Sequence, residues 1–183
     1  MPNYRRAYIS GGTYFITQVT YQREPWLCTN IGRKALREAI STVRQKHPFI
    51  IEAFVLLPDH FHCLLTLPAD NADISLRLKL IKTYVTRHYR QHLKIDRNIS
   101  PSRKKRGERN LWQRRFWEHF IRDERDFAQH CDYIHINPVH HGLCETPQSW
   151  QFSSIHRFLD QNIYAPNWGE HDLLAIALKD WDR

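Results

Sequence analysis

An α+β fold, a ferredoxin-like antiparallel sheet with helices packed on it, is predicted by three observations. The periodicities run β-α-β-β-α-β and end in a further helix. Two apolar runs, 49–57 and 60–67, are separated only by Pro58-Asp59, a turn pair that makes them a hairpin. No repeat or low-complexity tract divides the 183 residues, and 42% hydrophobic with 13% aromatic content supports one core.

Each element has its own signal. Residues 13–21, TYFITQVTY, are aromatic and β-branched and follow Gly11-Gly12, a turn: the first strand. From Asn30, read as a cap, Ile31, Leu36, Ala39, Ile40 and Val43 recur at helical spacing up to His47-Pro48. The hairpin follows. Asp73 caps a second helix whose predicted buried stripe is Leu76, Leu80, Ile81, Tyr84 and Val85, with Lys79, Lys82, Thr86 and Arg90 on another face. Residues 95–110 carry charge and turn residues without periodicity, so a mobile basic loop is expected. Alternation over 111–122, LWQRRFWEHFIR, predicts a fourth strand, and 123–140 a third helix that Asn137-Pro138 terminates. The expected organisation is one domain over 1–145, with 146–183 as its C-terminal extension.

Charge is segregated. The net charge is +8, yet between Arg77 and Arg115 there are 14 Lys/Arg against only Asp96 and Glu108. A localised positive surface of this kind is the footprint of a polyanion-binding protein. Its candidate DNA contacts are Lys79, Lys82, Arg87 and Arg90 on the second helix, Arg103, Lys104, Lys105 and Arg106, and Arg114 and Arg115; Arg5 and Arg6 are N-terminal candidates. Tyr84, Trp112, Phe116 and Trp117 are interleaved aromatics that could stack on unpaired bases. No run approaches bilayer length and the N-terminus has no apolar signal region, so no membrane association and a cytoplasmic location are expected. Cys28, Cys63, Cys131 and Cys144 lack C-x-x-C spacing and read as reduced thiols.

The chemistry starts at LLPDHFHCLLTL, residues 56–67. On a strand, His60 and His62 share a face, with alpha carbons roughly 6.5 to 7 Å apart, so both imidazoles can reach one ion. Phe61, Cys63, Leu65 and Leu67 point the other way, toward a core. Neither a cupin nor a binuclear metallohydrolase continuation follows, so further ligands must come from elsewhere. The third helix offers HCDYIHINPVHHGL, residues 130–143, where Tyr133 and Asn137 are four apart on one face, about 6 Å along the axis. His130, His135, His140 and His141 carry no motif and read as surface or DNA-contacting residues. Two histidines and an amide could hold zinc, but such a site also admits magnesium or manganese.

A basic surface, a His-x-His strand and a downstream tyrosine helix together resemble the HUH single-tyrosine nucleases. Five ordered blocks, YRRAYISGGTYFIT, LLPDHFHCLLTL, LWQRRFWEHFIRDERDF, DYIHINPVHHGL and WQFSSIHRFL, are similar to those of REP-associated tyrosine transposases. The resemblance implies an HUH nuclease fold and a site-specific single-stranded DNA endonuclease and strand transferase acting at REP-type hairpins. It makes Tyr133 the nucleophile of a 5′-phosphotyrosine intermediate, His60 and His62 metal ligands, and Asn137 a third ligand where related transposases have glutamine. It implies Mg or Mn as the divalent metal and single-stranded or hairpin DNA as the partner. A nucleoid-associated monomer is expected, with a dimer as the alternative. Two other classes stay open: a domesticated DNA-binding protein that does not cleave, and a hydrolase of small phosphoesters.

Overall fold

The structure, a computed structural model, describes residues 8–93 and 98–169; Arg5 and Arg6 lie outside them. Strands β1 (Thr13–Val19), β2 (Ile50–Leu56), β3 (His60–Thr66) and β4 (Trp117–Phe120) form one sheet in the order β2-β3-β1-β4. Every hydrogen-bonded pair is antiparallel. Because β1 and β2 both flank β3, they run parallel to each other, joined by a crossover through helix α1 (Asn30–Lys46). This is the predicted ferredoxin-like arrangement.

Strand alternation divides the core in two. Phe61, Cys63 and Leu65 of β3 join Tyr14 and Ile16 of β1 against α1 and helix α2 (Ile74–Tyr89). Phe15 and Leu64 face the other way, with Val55 of β2, onto helix α4 (Glu124–His140). Helix α1 starts one residue earlier than a cap at Asn30 requires: the Thr29 hydroxyl accepts from the Gly32 N–H at 3.0 Å. A side chain at Gly32 would place its Cβ 2.1 Å from the Trp26 carbonyl, so glycine alone lets the helix begin against residues 26–27.

Asp73 caps α2 as predicted, accepting from the Leu76 N–H at 2.8 Å. The buried stripe, however, is Ile74, Leu78, Ile81 and Val85, while Leu76, Leu80 and Tyr84 are half-buried. Arg77 lies inside that stripe, 1% exposed, and donates to the carbonyls of Pro48 and Asp73 and to Asn71 Oδ1. One cation of the basic segment is therefore structural.

Three further expectations are corrected. The 95–110 region is not a plain loop: Ser100 caps a short helix, α3 (Pro101–Lys105). Five residues are too few to display a 3.6 period. Arg103 then bonds Asn110, pairs with Glu108 at 3.0 Å and lies over the Tyr21 ring. The fourth strand covers only Trp117–Phe120. Leu111 and Trp112 are instead buried core anchors, with one isolated bridge from Trp112 to Thr20. Pro138 does not end α4, which runs to His140 and stops where Gly142 takes a φ of +64°.

The free edge of β2 is covered by the chain following α4. Leu56 N–H donates to the Phe152 carbonyl and Ser154 N–H to the Phe54 carbonyl, ahead of helix α5 (Ile155–Asp160). A directional chain fastens this segment to α4. Phe54 N–H donates to Ser154 Oγ, which donates to His135 Nε2; His135 Nδ1 donates to the Tyr164 hydroxyl, and that to Asp132. His135 is thus neutral, and burial holds it down at about 3.

Candidate active site and nucleic-acid interface

His60 and His62 project from β3 onto the face that α4 covers, and there they meet Tyr133. The two imidazole centroids are 4.9 Å apart, and the His62 ring lies 5.4 Å from the Tyr133 ring, edge to face. Phe15 of β1 stacks on His62 at 5.5 Å and meets Tyr133 at 5.8 Å. Asn137 follows Tyr133 one turn along α4. His60, His62 and Tyr133, predicted from widely spaced motifs, thus meet on one interior face of the sheet, with Asn137 buried on the same helix as Tyr133. All four are buried: His60 and Tyr133 are 2% exposed, His62 and Asn137 0%.

Burying two imidazoles requires partners, and both are supplied at Nδ1. His62 Nδ1 bonds the Thr17 hydroxyl at 2.8 Å, across the β1–β3 ladder where Thr17 and His62 are register partners. His60 Nδ1 donates to Asp59 Oδ1 at 2.6 Å, and Asp59 also accepts from Arg23 at 3.0 Å. Burial would raise the Asp59 pKa, but the bonds and charges of His60 and Arg23 outweigh it and bring it to about 2. With Nδ1 engaged, Nε2 is the nitrogen directed to ligand chemistry. The Asn137 amide is buried with neither nitrogen nor oxygen hydrogen-bonded among the described residues. A buried amide in that state costs stability unless a ligand uses it, which fits a metal-ligand role.

Thr17 and Asp59 were missed by sequence reasoning. Asp59 had a local signal, its adjacency to His60; Thr17 had none before the strand register was known. His141, left without a role, stands 5.0 Å from His60, ring to ring, whereas His130 and His135 are buried rather than at the surface.

A second cluster was also missed. The ligand atoms of His119, Asp126 and His130 lie within 4.8 Å of one another, a grouping compatible with a divalent ion. Asp126 Oδ2 already accepts from His119 Nε2 at 2.8 Å and from the Arg122 backbone and guanidinium, tying β4 to the first turn of α4. Burial would raise Asp126, but the His119 bond and the two Arg122 bonds outweigh it, giving about 2. Burial lowers His130 to about 4, and its Nδ1 donates to the Asp126 carbonyl.

The basic residues form a groove. Lys79, Lys82 and Arg87 of α2, with Arg90 just past its end, face Arg106 and Arg114 across a cavity of about 1210 Å³. Its walls are joined by Lys82 bonds to the Gln113 and Arg114 carbonyls and by Arg90 to the Arg109 carbonyl. Lys104, Lys105 and Arg115 are exposed outside its walls, and Arg103 is half-buried. Among the aromatics, Trp112 is only 6% exposed and packs on Trp26, so it is core rather than a stacking platform. Tyr84, Phe116 and Trp117 are half-buried.

A ferredoxin-like sheet that sets a tyrosine helix against a His-x-His strand, in a chain that also carries a cationic groove, defines a single-tyrosine DNA-processing class. The family described as "Transposase IS200 like" matches residues 8–137, and this chain belongs to it. An Escherichia coli K12 REP-associated tyrosine transposase is 40% identical over 168 residues, 92% of this chain and 91% of its own length. A Haemophilus influenzae relative is 40% identical over 176 residues, 96% of this chain and 98% of its own. A solved structure of a REP-associated tyrosine transposase bound to a REP hairpin superimposes with a TM-score of 0.75 at 40% identity, covering 92% and 91% of the two chains. No helix among the described residues is long and apolar enough to cross a membrane.

Proposed function

We propose that this transposase cleaves and rejoins single-stranded DNA at REP-type hairpins through Tyr133. The observation that carries the reading is the convergence of Tyr133 with His60 and His62 on one face of the sheet, although their motifs lie some seventy residues apart. The Tyr133 hydroxyl gives up its proton to solvent and its oxygen attacks phosphorus; the Oη–P bond forms as the bond to the 3′ oxygen breaks, and that oxygen takes up a proton, leaving a 5′-phosphotyrosine and a free 3′-OH. Phenolate is a good leaving group, so a DNA 3′-OH can reverse the step and rejoin strands without external energy. His60 and His62 through Nε2, with Asn137, would hold a divalent cation, Mg or Mn, which supplies Lewis-acid stabilisation of the charge developing on phosphate oxygens. Asp59 and Thr17 hold the two rings by their Nδ1 atoms. Tyr133 is buried, so the scissile phosphate reaches it only after local movement.

For DNA holding, the α2 groove and the exposed Lys104, Lys105 and Arg115 supply phosphate contacts, and the half-buried Tyr84, Phe116 and Trp117 the stacking candidates. The test is incubation of the protein with labelled hairpin DNA carrying single-stranded flanks, with Mn or Mg, followed by denaturing electrophoresis. A covalent protein–DNA band is expected from the wild type and none from Tyr133→Phe, whose hairpin affinity should stay within a few-fold. A band that persists in the variant moves the nucleophile elsewhere. Binding without any band makes the chain a non-cleaving DNA-binding protein.

A further inference from the structure

A second cationic groove lies on a part of the chain that the charge distribution of residues 77–115 does not include. Helix α1 carries five Lys/Arg against Glu38. The carboxylate is turned away, bonded to the Tyr89 hydroxyl of α2. Arg33, Arg37 and Arg44 instead line a groove of about 790 Å³ between α1, the edge strand β2 and residues 151–154, and no carboxylate contributes to its walls. Arg37 and Arg44 are exposed and make no ion pair among the described residues; spacing of four and seven residues sets the three on one stripe about 17 Å long.

The groove has an apolar floor, with Ile51, Phe54 and Phe152 among its lining. Arg33 lies over the Phe152 ring, 4.6 Å from its centroid. A solvated basic helix face needs no aromatic floor, and neither does a duplex held by phosphates alone. A row of cations beside half-buried aromatic and aliphatic side chains is the combination that holds unpaired nucleotides, phosphates on the cations and bases on the floor. The location adds to this. Ser154 forms one wall, and its hydroxyl also bonds His135, two residues beyond Tyr133 on α4. The groove and the tyrosine helix therefore meet across the β2 edge.

We infer that this groove holds the single-stranded DNA running from the cleavage site over the β2 edge, its phosphates on Arg37 and Arg44 and its bases against Phe54 and Phe152. This rests on the reading of the chain as a single-strand DNA transposase. The test compares wild type with Arg37→Ala/Arg44→Ala using two fluorescent probes. One is a blunt hairpin; the other is the same hairpin with a ten-nucleotide single-stranded tail, on either side in separate probes. The tailed probe should bind the double variant about tenfold more weakly on one side, with a log–log salt slope smaller by about 1.4. Affinity for the blunt hairpin and the melting temperature should not change.

Unchanged affinity and slope for both tailed probes would overturn the inference. So would equal weakening of blunt and tailed probes, since that places the stem in the groove. Failure of the underlying reading looks different. A wild type that gives no Tyr133 adduct under saturating tailed hairpin removes the cleavage chemistry, while tail-dependent binding is measured independently of it.

Discussion

Replacing Thr17 by valine keeps the shape of a buried side chain and removes one oxygen, the atom 2.8 Å from His62 Nδ1. Two effects follow from that loss. The imidazole nitrogen gives up a buried hydrogen bond, which costs about 1 to 3 kcal/mol and lowers Tm by about 2 to 12 °C in a domain of this size. The ring also loses the contact that sets its tautomer and direction, and a hydrogen-bond partner on the far nitrogen of a metal-ligating histidine is worth about 10- to 100-fold in metal affinity. The assay is formation of the covalent protein–DNA band as a function of Mn concentration. The Mn concentration giving half-maximal rate should rise by about 10- to 100-fold in Thr17→Val, with the wild-type maximum recovered at saturation because Tyr133 is untouched. Thr17→Ser should restore the wild-type curve. A valine variant with the wild-type Mn dependence would refute the positioning argument. A rate that added Mn cannot recover would refute it as well, because Thr17 would then be shaping the tyrosine pocket instead.

Other perturbations separate structural from functional roles. Arg77→Met removes four buried hydrogen bonds and should cost about 3 kcal/mol or more in chemical denaturation, yet leave the salt slope of DNA binding unchanged; a reduced slope at unchanged stability would return Arg77 to the DNA surface. Asn137→Leu should leave stability unchanged or raise it, since the amide makes no hydrogen bond among the described residues, while cleavage falls; a large loss of stability would make the amide structural. The buried histidines predict a pH profile. Burial lowers His130 to about 4 and His135 to about 3, both below the unfolded value near 6.5. Their contribution is complete above that unfolded value and is lost as pH falls through about 4 and then about 3. Denaturant melts of wild type should therefore weaken progressively below pH 6.5, and His135→Gln should flatten the profile. An unchanged profile in that variant would remove His135 from the account.

The strand order and the two faces of β3 were legible because alternation and turn chemistry are local signals. TYFITQV and HFHCLLT each carry a two-residue period, and Pro58-Asp59 closes the hairpin between the second and third strands. Elsewhere the local signals misled. In α2 the apolar residues Leu76 and Leu80 suggested a stripe rotated from the true one, because a periodicity argument cannot know that an arginine will be buried. Arg77 is buried only because the Pro48 carbonyl, from a different loop, meets its guanidinium. In α3 the helix is too short to show a period at all. At Pro138 the ring removes the N–H that would bond the Ile134 carbonyl, yet the helix end is still closed by the His141 N–H on the Asn137 carbonyl and the Leu143 N–H on the Pro138 carbonyl.

The candidate site divides along the same line. His60, His62, Tyr133 and Asn137 were found because the spacing within each motif gives a shared face on a strand or a helix, and because the resemblance paired the two motifs. Their burial was not legible, since it depends on α4 packing across β2 and β3. Burial in turn changes what each neighbour must do. An exposed imidazole can leave Nδ1 to water, whereas one that is 0% exposed needs a fixed partner; for His62 the strand register supplies Thr17. The contact depends on β1 and β3 pairing with Thr17 opposite His62, 45 residues away, so no window along the sequence contains it. A one-residue slip of β1 would turn Thr17 to the other face and withdraw the hydroxyl, taking Phe15 off the same imidazole. The sheet register is consequently a determinant of the site as much as of the core: the apolar alternation that buries Phe15 and Leu64 on the α4 side is what delivers the hydroxyl to His62.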